Sequence, residues 1–240
     1  MIPFNPITDD EPAVVHSSRL KATLRTLGYI DENGPMGLTP LKALKRYFVA
    51  WAAAAFDWPR YTAAELYEVN KVLNEPDFPP LMVLHDLLQS AKLVRHYKGA
   101  MHITKTGVQL KSHPAVLWIV LAHHLLHVLD HSRYTRYGDQ LDGDWGIFLG
   151  GLNIEAEVAV TEERLCAALF GRGEKEMMHD YGLTAMLYIH VLRPLCCVGL
   201  LEEQQNGRGL QRTRHFVKTP LWAAALPFES AGNATARSRQ

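Results

Sequence analysis

Leu84-His-Asp-Leu-Leu-Gln-Ser-Ala-Lys-Leu-Val94, a short polar run and then Ile103-Thr-Lys-Thr-Gly107 form the stretch that decides the fold. It reads as a helix, a tight β-hairpin and a closing helical turn. Leu81, Leu84, Leu87 and Leu88 share one helical face. Leu93-Val-Arg-His-Tyr97 and Ala100-Met-His-Ile-Thr104 pair as strands around Lys98-Gly99. The pattern returns at Val191-Leu-Arg-Pro-Leu-Cys-Cys-Val-Gly-Leu-Leu201, closed by Lys218-Thr-Pro-Leu-Trp222. The second hairpin is longer, with its tip at Asn206-Gly-Arg-Gly209. An insertion at a hairpin tip, with the flanking elements held, is what loops tolerate.

Outward from these copies, Ser17–Leu27 reads as a short helix ended by Gly28, and Asp31-Glu-Asn-Gly-Pro35 as a turn. Thr39-Pro40 caps a helix expected over Leu41–Phe56. Thr62-Ala-Ala-Glu65 is a capping box that opens the next. Further helices are expected over Pro114–His131, Ile154–Phe170 and Tyr181–Val198, with a polar loop over Arg133–Gly146. The organisation read from this is an N-terminal segment (1–35), a helix–hairpin unit (36–112), a helical middle section (113–178), a second unit (179–228) and a disordered tail (229–240). The class is mainly α, of the α+β kind.

The chain has 240 residues, and its 25 Lys and Arg balance 25 Asp and Glu. The whole molecule therefore exerts no strong pull on nucleic acid or anionic membrane. Its three cysteines make no disulfide framework, and the N-terminus has no basic, apolar leader. These features point to a reducing cytoplasm and no membrane.

Charge is distributed unevenly. Between Lys92 and Ser112 stand Lys92, Arg95, Lys98, Lys105 and Lys111 with no Asp or Glu. A basic hairpin of this kind can follow a phosphate backbone. The preceding helix offers His85, Asp86, Gln89 and Ser90 as outward positions. By contrast, Asp139–Glu163 holds seven acidic residues and no Lys or Arg, so homodimerisation through opposite charges is a further expectation.

A second constellation is histidine. His123, His124, His127 and His131 fall within about 100° of one another on an ideal helix. Such a face could hold zinc or another divalent metal, although the Glu of a His-Glu-x-x-His protease is missing. The default for these imidazoles is a polar helix face.

The run Lys92-Leu-Val-Arg95, the hairpin and Ile103-Thr-Lys-Thr-Gly107 resembles the wing of bacterial winged-helix proteins, including MarR-type regulators. More specifically, Leu73-Asn-Glu-Pro-Asp-Phe-Pro-Pro80 with Leu84-His-Asp-Leu-Leu88 and Thr104-Lys-Thr-Gly107 resembles a plasmid-associated family of uncharacterised bacterial proteins. The first resemblance implies two winged-helix-like units and DNA or protein binding. The second implies no catalytic residues. The expectation is thus a non-enzymatic DNA-binding or regulatory protein. Lys92, Arg95, Lys98 and Lys105 would meet phosphate, and Gln89 and Ser90 would lie nearest the groove. A protein–protein module on the same fold is the alternative, and a metal-dependent protein built on the histidine face is the third.

Overall fold

The computed structural model describes residues 2–134, 141, 143–173, 181–206 and 213–228. It divides the chain into two compact units, Ser18–Leu129 and Met1–Ser17 with Asp130–Gln240. The class is mainly helical with small antiparallel sheets.

The first unit runs α1 (Ser18–Asn33), β1 (Met36–Gly37), α2 (Arg46–Phe56), α3 (Ala63–Val69), α4 (Pro79–Ser90), β2 (Val94–Tyr97), β3 (Ala100–Ile103), α5 (Lys105–Lys111) and α6 (Pro114–Val128). Its sheet order is β1-β3-β2. Helix α1 sits at the centre and touches α2, α4, α5 and α6. Its Arg19 is buried, donates to the Pro80 carbonyl and lies over the Trp58 ring.

The second unit shares the helix–hairpin–helix part of that order and its sheet order. It has α7 (Trp145–Glu155), β4 (Val160–Thr161), α8 (Glu162–Phe170), α9 (Tyr181–Val198), β5 (Leu201–Asn206), β6 (Thr213–Lys218) and α10 (Pro220–Ala225), with sheet order β4-β6-β5. Helix α9 has mean hydropathy 1.3 over 18 residues, which by length and composition alone would suffice to cross a membrane. In this unit it packs on α8 and leads into β5.

The two copies match down to single hydrogen bonds. Leu93 N–H donates to Leu88 O, and Leu200 N–H donates to Leu195 O. Thr104 N–H returns to Leu93 O, and Thr219 N–H returns to Leu200 O. Both threonines also use Oγ1 at this junction, donating to the carbonyl just ahead of the strand and accepting from the helix that follows. Register agrees as well: His96↔Met101 and Glu203↔Phe216 hold equivalent places, with Met36 and Val160 completing each row.

Four expectations need correction. Helix α1 does not stop at Gly28. The buried stripe Leu20, Thr23, Leu27 and Ile30 continues past it, and this packing outweighs the roughly 1 kcal/mol that glycine costs inside a helix. The left-handed residue that ends the helix is Gly34.

Helix α2 begins at Arg46 rather than Leu41. Thr39 Oγ1 accepts from Ala43 N–H, and Leu38 bridges Leu44, so Thr39–Leu44 folds into a tight turn with Lys42 left-handed. The Glu75 carboxylate accepts Leu44 N–H and holds that turn away from helix.

Residues 154–170 are not one helix. A glycine-containing run opens α7, with Asp144 as its N-cap accepting from Ile147 N–H, and Thr161 caps α8. The polar loop expected over Arg133–Gly146 thus gives way to helix from Trp145, where packing of α7 against α8 decides. Finally, α6 closes in a wide π turn over His124–Val128, and Leu129 is extended, so the helix does not reach His131.

The tip Asn206-Gly-Arg-Gly209 from Gly207 onward, Asp139, Asp142 and the tail from Glu229 lie outside the described residues.

Candidate functional site

Two features of the first unit adjoin each other, an open groove and the outer face of the sheet. The groove, about 800 Å³, is bounded by the Leu41–Ala43 turn, the Met82, Asp86 and Gln89 side of α4, and β2. Its walls are tied by buried hydrogen bonds. Glu75, 4% exposed, accepts from Leu44 N–H at 2.7 Å and pairs with His85 Nδ1 at 2.7 Å. His85, 5% exposed, meets His96 Nε2 through its own Nε2 at 2.8 Å. With Glu75 ionised, His85 donates Nδ1–H, and its Nε2 accepts from Nε2–H of His96. One carboxylate thereby fixes the tautomers of two imidazoles. Burial holds the His96 pKa below its ordinary value, and the neighbouring His85 and Lys42 add to this.

His85 is therefore a structural residue and not the outward position expected for it. The sequence sign of this network is weak. Glu75 lies in a Pro-flanked turn ten residues before His85, and no local periodicity connects them to His96.

The predicted phosphate contacts are placed as follows. Lys92 is left-handed and exposed where α4 turns into β2. Lys98 and Gly99 both have positive φ, the requirement of a type I′ hairpin turn, and this projects Lys98 at the tip. Arg95 and Lys98 flank the Tyr97 ring at 5.7 Å and 5.2 Å. Lys105 is exposed at the start of α5. Gln89 lines the groove, whereas Ser90 faces the other way, with Oγ 3.1 Å from His124 Nδ1. No α4 residue beyond Pro79 is fully exposed, so this helix presents an edge rather than a free face.

Sequence reasoning missed the cations that follow β1 in the chain. Pairing of Gly37 with Ala100 brings the start of the 34–56 segment beside the β2–β3 hairpin. Neither that segment nor 87–129 contains an Asp or Glu. Lys45 lies over Gly37, where an added Cβ would come within 3.1 Å of its side chain. Lys42, on the groove with Arg95, and Lys45, over Gly37, therefore add to the hairpin's own positive charge, while Lys111 is taken up by an ion pair with Asp31.

The four histidines do not share one face. His123 contacts His124 and His127 at ring separations of 5.6 Å and 5.4 Å, but His131 lies beyond the end of α6, in the second unit. Among the described residues no three His, Cys, Asp or Glu side chains gather to hold a metal ion.

Comparison with known proteins gives consistent matches over both units. Residues 15–116 match the Y4jL N-terminal domain and residues 135–220 match the y4jL C-terminal domain. A relative from Sinorhizobium fredii (strain NBRC 101917 / NGR234), "Uncharacterized protein y4jL", is 33% identical over 171 residues, covering 71% of this chain and 78% of its own. No solved structure matches.

Proposed function

The chain belongs to the Y4jL family, and from that membership and the geometry above we propose that its first unit is a winged-helix-like module that binds duplex DNA without catalysing a reaction. The order β1-β3-β2, with α4 immediately before β2 and the β2–β3 hairpin as the wing, supports the winged-helix reading. The observation that supports DNA binding is the pairing of β1 with β3, which puts Lys45, lying over Gly37, on the same sheet face as Arg95 and Tyr97, in two segments that contain no Asp or Glu. Lys92, Arg95, Lys98 and Lys105 meet phosphate, and Gln89 is the α4 side chain nearest the bases. Because α4 is half-sunk and carries Asp86 toward the groove, the wing supplies most of the affinity and little of it depends on sequence.

Titration of the full chain with random duplex DNA tests this. Binding weakens steeply with added salt, and Arg95→Ala plus Lys98→Ala lowers both the affinity and the salt slope, the latter by about 2. Binding that ignores salt, or a double variant that binds like the parent, removes the proposal.

A further inference from the structure

The outer face of the first sheet carries a row that reads Tyr97, Ala100, Gly37, one residue from each strand at the same level. Side chain size falls from an aromatic ring to a methyl to nothing. The Tyr97 ring is therefore not walled in along the sheet, and it is 50% exposed. His102, diagonally across from it, meets the ring edge-on at 5.9 Å. The Arg95 guanidinium and the Lys98 ammonium lie 5.7 Å and 5.2 Å from the ring centroid, and Lys45 lies over Gly37 at the far end of the row. Tyr47 closes the β1 edge, its hydroxyl accepting Gly37 N–H at 2.8 Å. An exposed ring among cations, with no acid in either contributing segment, has the composition of a base-stacking platform beside a phosphate track. Duplex DNA keeps its base faces stacked and cannot use such a ring; an unpaired base can.

We propose that this face binds single-stranded nucleic acid, with an unpaired base stacked on Tyr97 and the flanking phosphates held by Lys45, Arg95 and Lys98. The inference rests on the nucleic-acid reading of the first unit and extends it to a second form of the same polymer. It assigns Tyr97 a role that duplex binding does not require. The second unit has no such face. Its equivalent row is Gln204, His215 and Thr161, and Glu202 occupies the place of Arg95.

The test uses the full chain and three fluorescein-labelled probes of about 12 units, a length within the usual span of a single-strand site. These are oligo-dT, an abasic oligomer with the same phosphates, and a duplex. The expected result is that oligo-dT binds more tightly than the abasic oligomer. Tyr97→Ala then weakens oligo-dT by about tenfold, Tyr97→Phe preserves it, and duplex affinity stays the same in both. Equal binding of oligo-dT and the abasic oligomer overturns the inference, as does a Tyr97→Ala protein that binds oligo-dT like the parent. If the duplex fails to bind while oligo-dT behaves as expected, the duplex reading falls and this one stands. If the duplex binds and Tyr97→Ala has no effect on oligo-dT, the reverse holds. Tyr97 is on the surface, so its variants retain the thermal unfolding of the parent.

Discussion

The two units use one helix–hairpin–helix order and one strand register for opposite surface chemistry. On the outer sheet face the first unit carries Arg95, Tyr97 and His102, where the second carries Glu202, Gln204 and Val217. Facing inward, His96 of the first corresponds to Glu203 of the second, and the buried His85 of α4 to the buried Leu192 of α9. The first unit thus has a largely buried Glu75–His85–His96 network under a basic surface. The second has the buried Glu162 paired with Arg214 at 2.6 Å, Arg214 stacked 3.9 Å over Tyr188, and Glu203 accepting the Tyr188 hydroxyl. Backbone hydrogen bonds set the architecture, and side chains at equivalent places are free to diverge because none of them closes the turn.

The largest effect expected on this comparison comes at its closing turn. An added Cβ at Gly107 would sit 2.3 Å from the Leu93 carbonyl oxygen and 2.9 Å from Ile103. That carbonyl cannot retreat, because it accepts Thr104 N–H. Gly107→Ala should lower stability by about 3 kcal/mol or more in urea unfolding. The equivalent position in the second unit is Trp222, buried, donating Nε1–H to Asn153. Thr219 Oγ1 accepts from a residue two positions on, whereas Thr104 Oγ1 accepts from one three positions on, so α10 starts differently and leaves room for the indole. A Gly107→Ala protein as stable as the parent would show that the two closures are less distinct than this.

The next effect concerns pH, and its sign differs between units. Burial raises the Glu162 carboxyl to about 7, with Arg214 opposing this only in part. A carboxyl whose folded pKa exceeds the unfolded value favours the folded state at low pH. That contribution is lost as pH rises from about 4.5 through 7, on the order of 3 kcal/mol at most. Glu162→Gln should therefore raise the urea midpoint at pH 8 and change it little at pH 5. In the first unit, burial lowers the pKa of His96, and also of His124 and His127. A histidine with a depressed folded pKa loses its contribution as pH falls below about 6.5. Parent protein should thus weaken on the acid side, and His96→Gln should flatten part of that loss. A Glu162→Gln protein whose pH profile parallels the parent's would contradict the assignment.

The smallest effect sharpens the comparison at the end of the helix before each hairpin. Lys92 and Gly199 are equivalent and both left-handed. Gly199 has the backbone of His16 and Ser17 within 2.7 Å of an added Cβ, so only glycine fits there. Lys92 is exposed. Lys92→Gly relieves a left-handed lysine and should stabilise by about 0.5–1 kcal/mol, measured by thermal unfolding, with a modest loss of duplex affinity.

The sequence by itself determined the features written in neighbouring residues. These are the Lys98-Gly99 turn, the Thr62–Glu65 capping box, the cap at Thr219-Pro220, and the repeated helix–hairpin. Each rests on a hydrogen bond or backbone angle within a few positions along the chain. The two-residue strands β1 and β4 were invisible because two residues show no alternation. The glycine-rich start of α7 was hidden because tertiary packing overruled its local preference. Only the tertiary structure decided that Glu75, His85 and His96 form one network, that Lys45 lies over Gly37, and that α6 ends before His131. These are contacts between segments distant in sequence, fixed by how β1 pairs and where α6 ends.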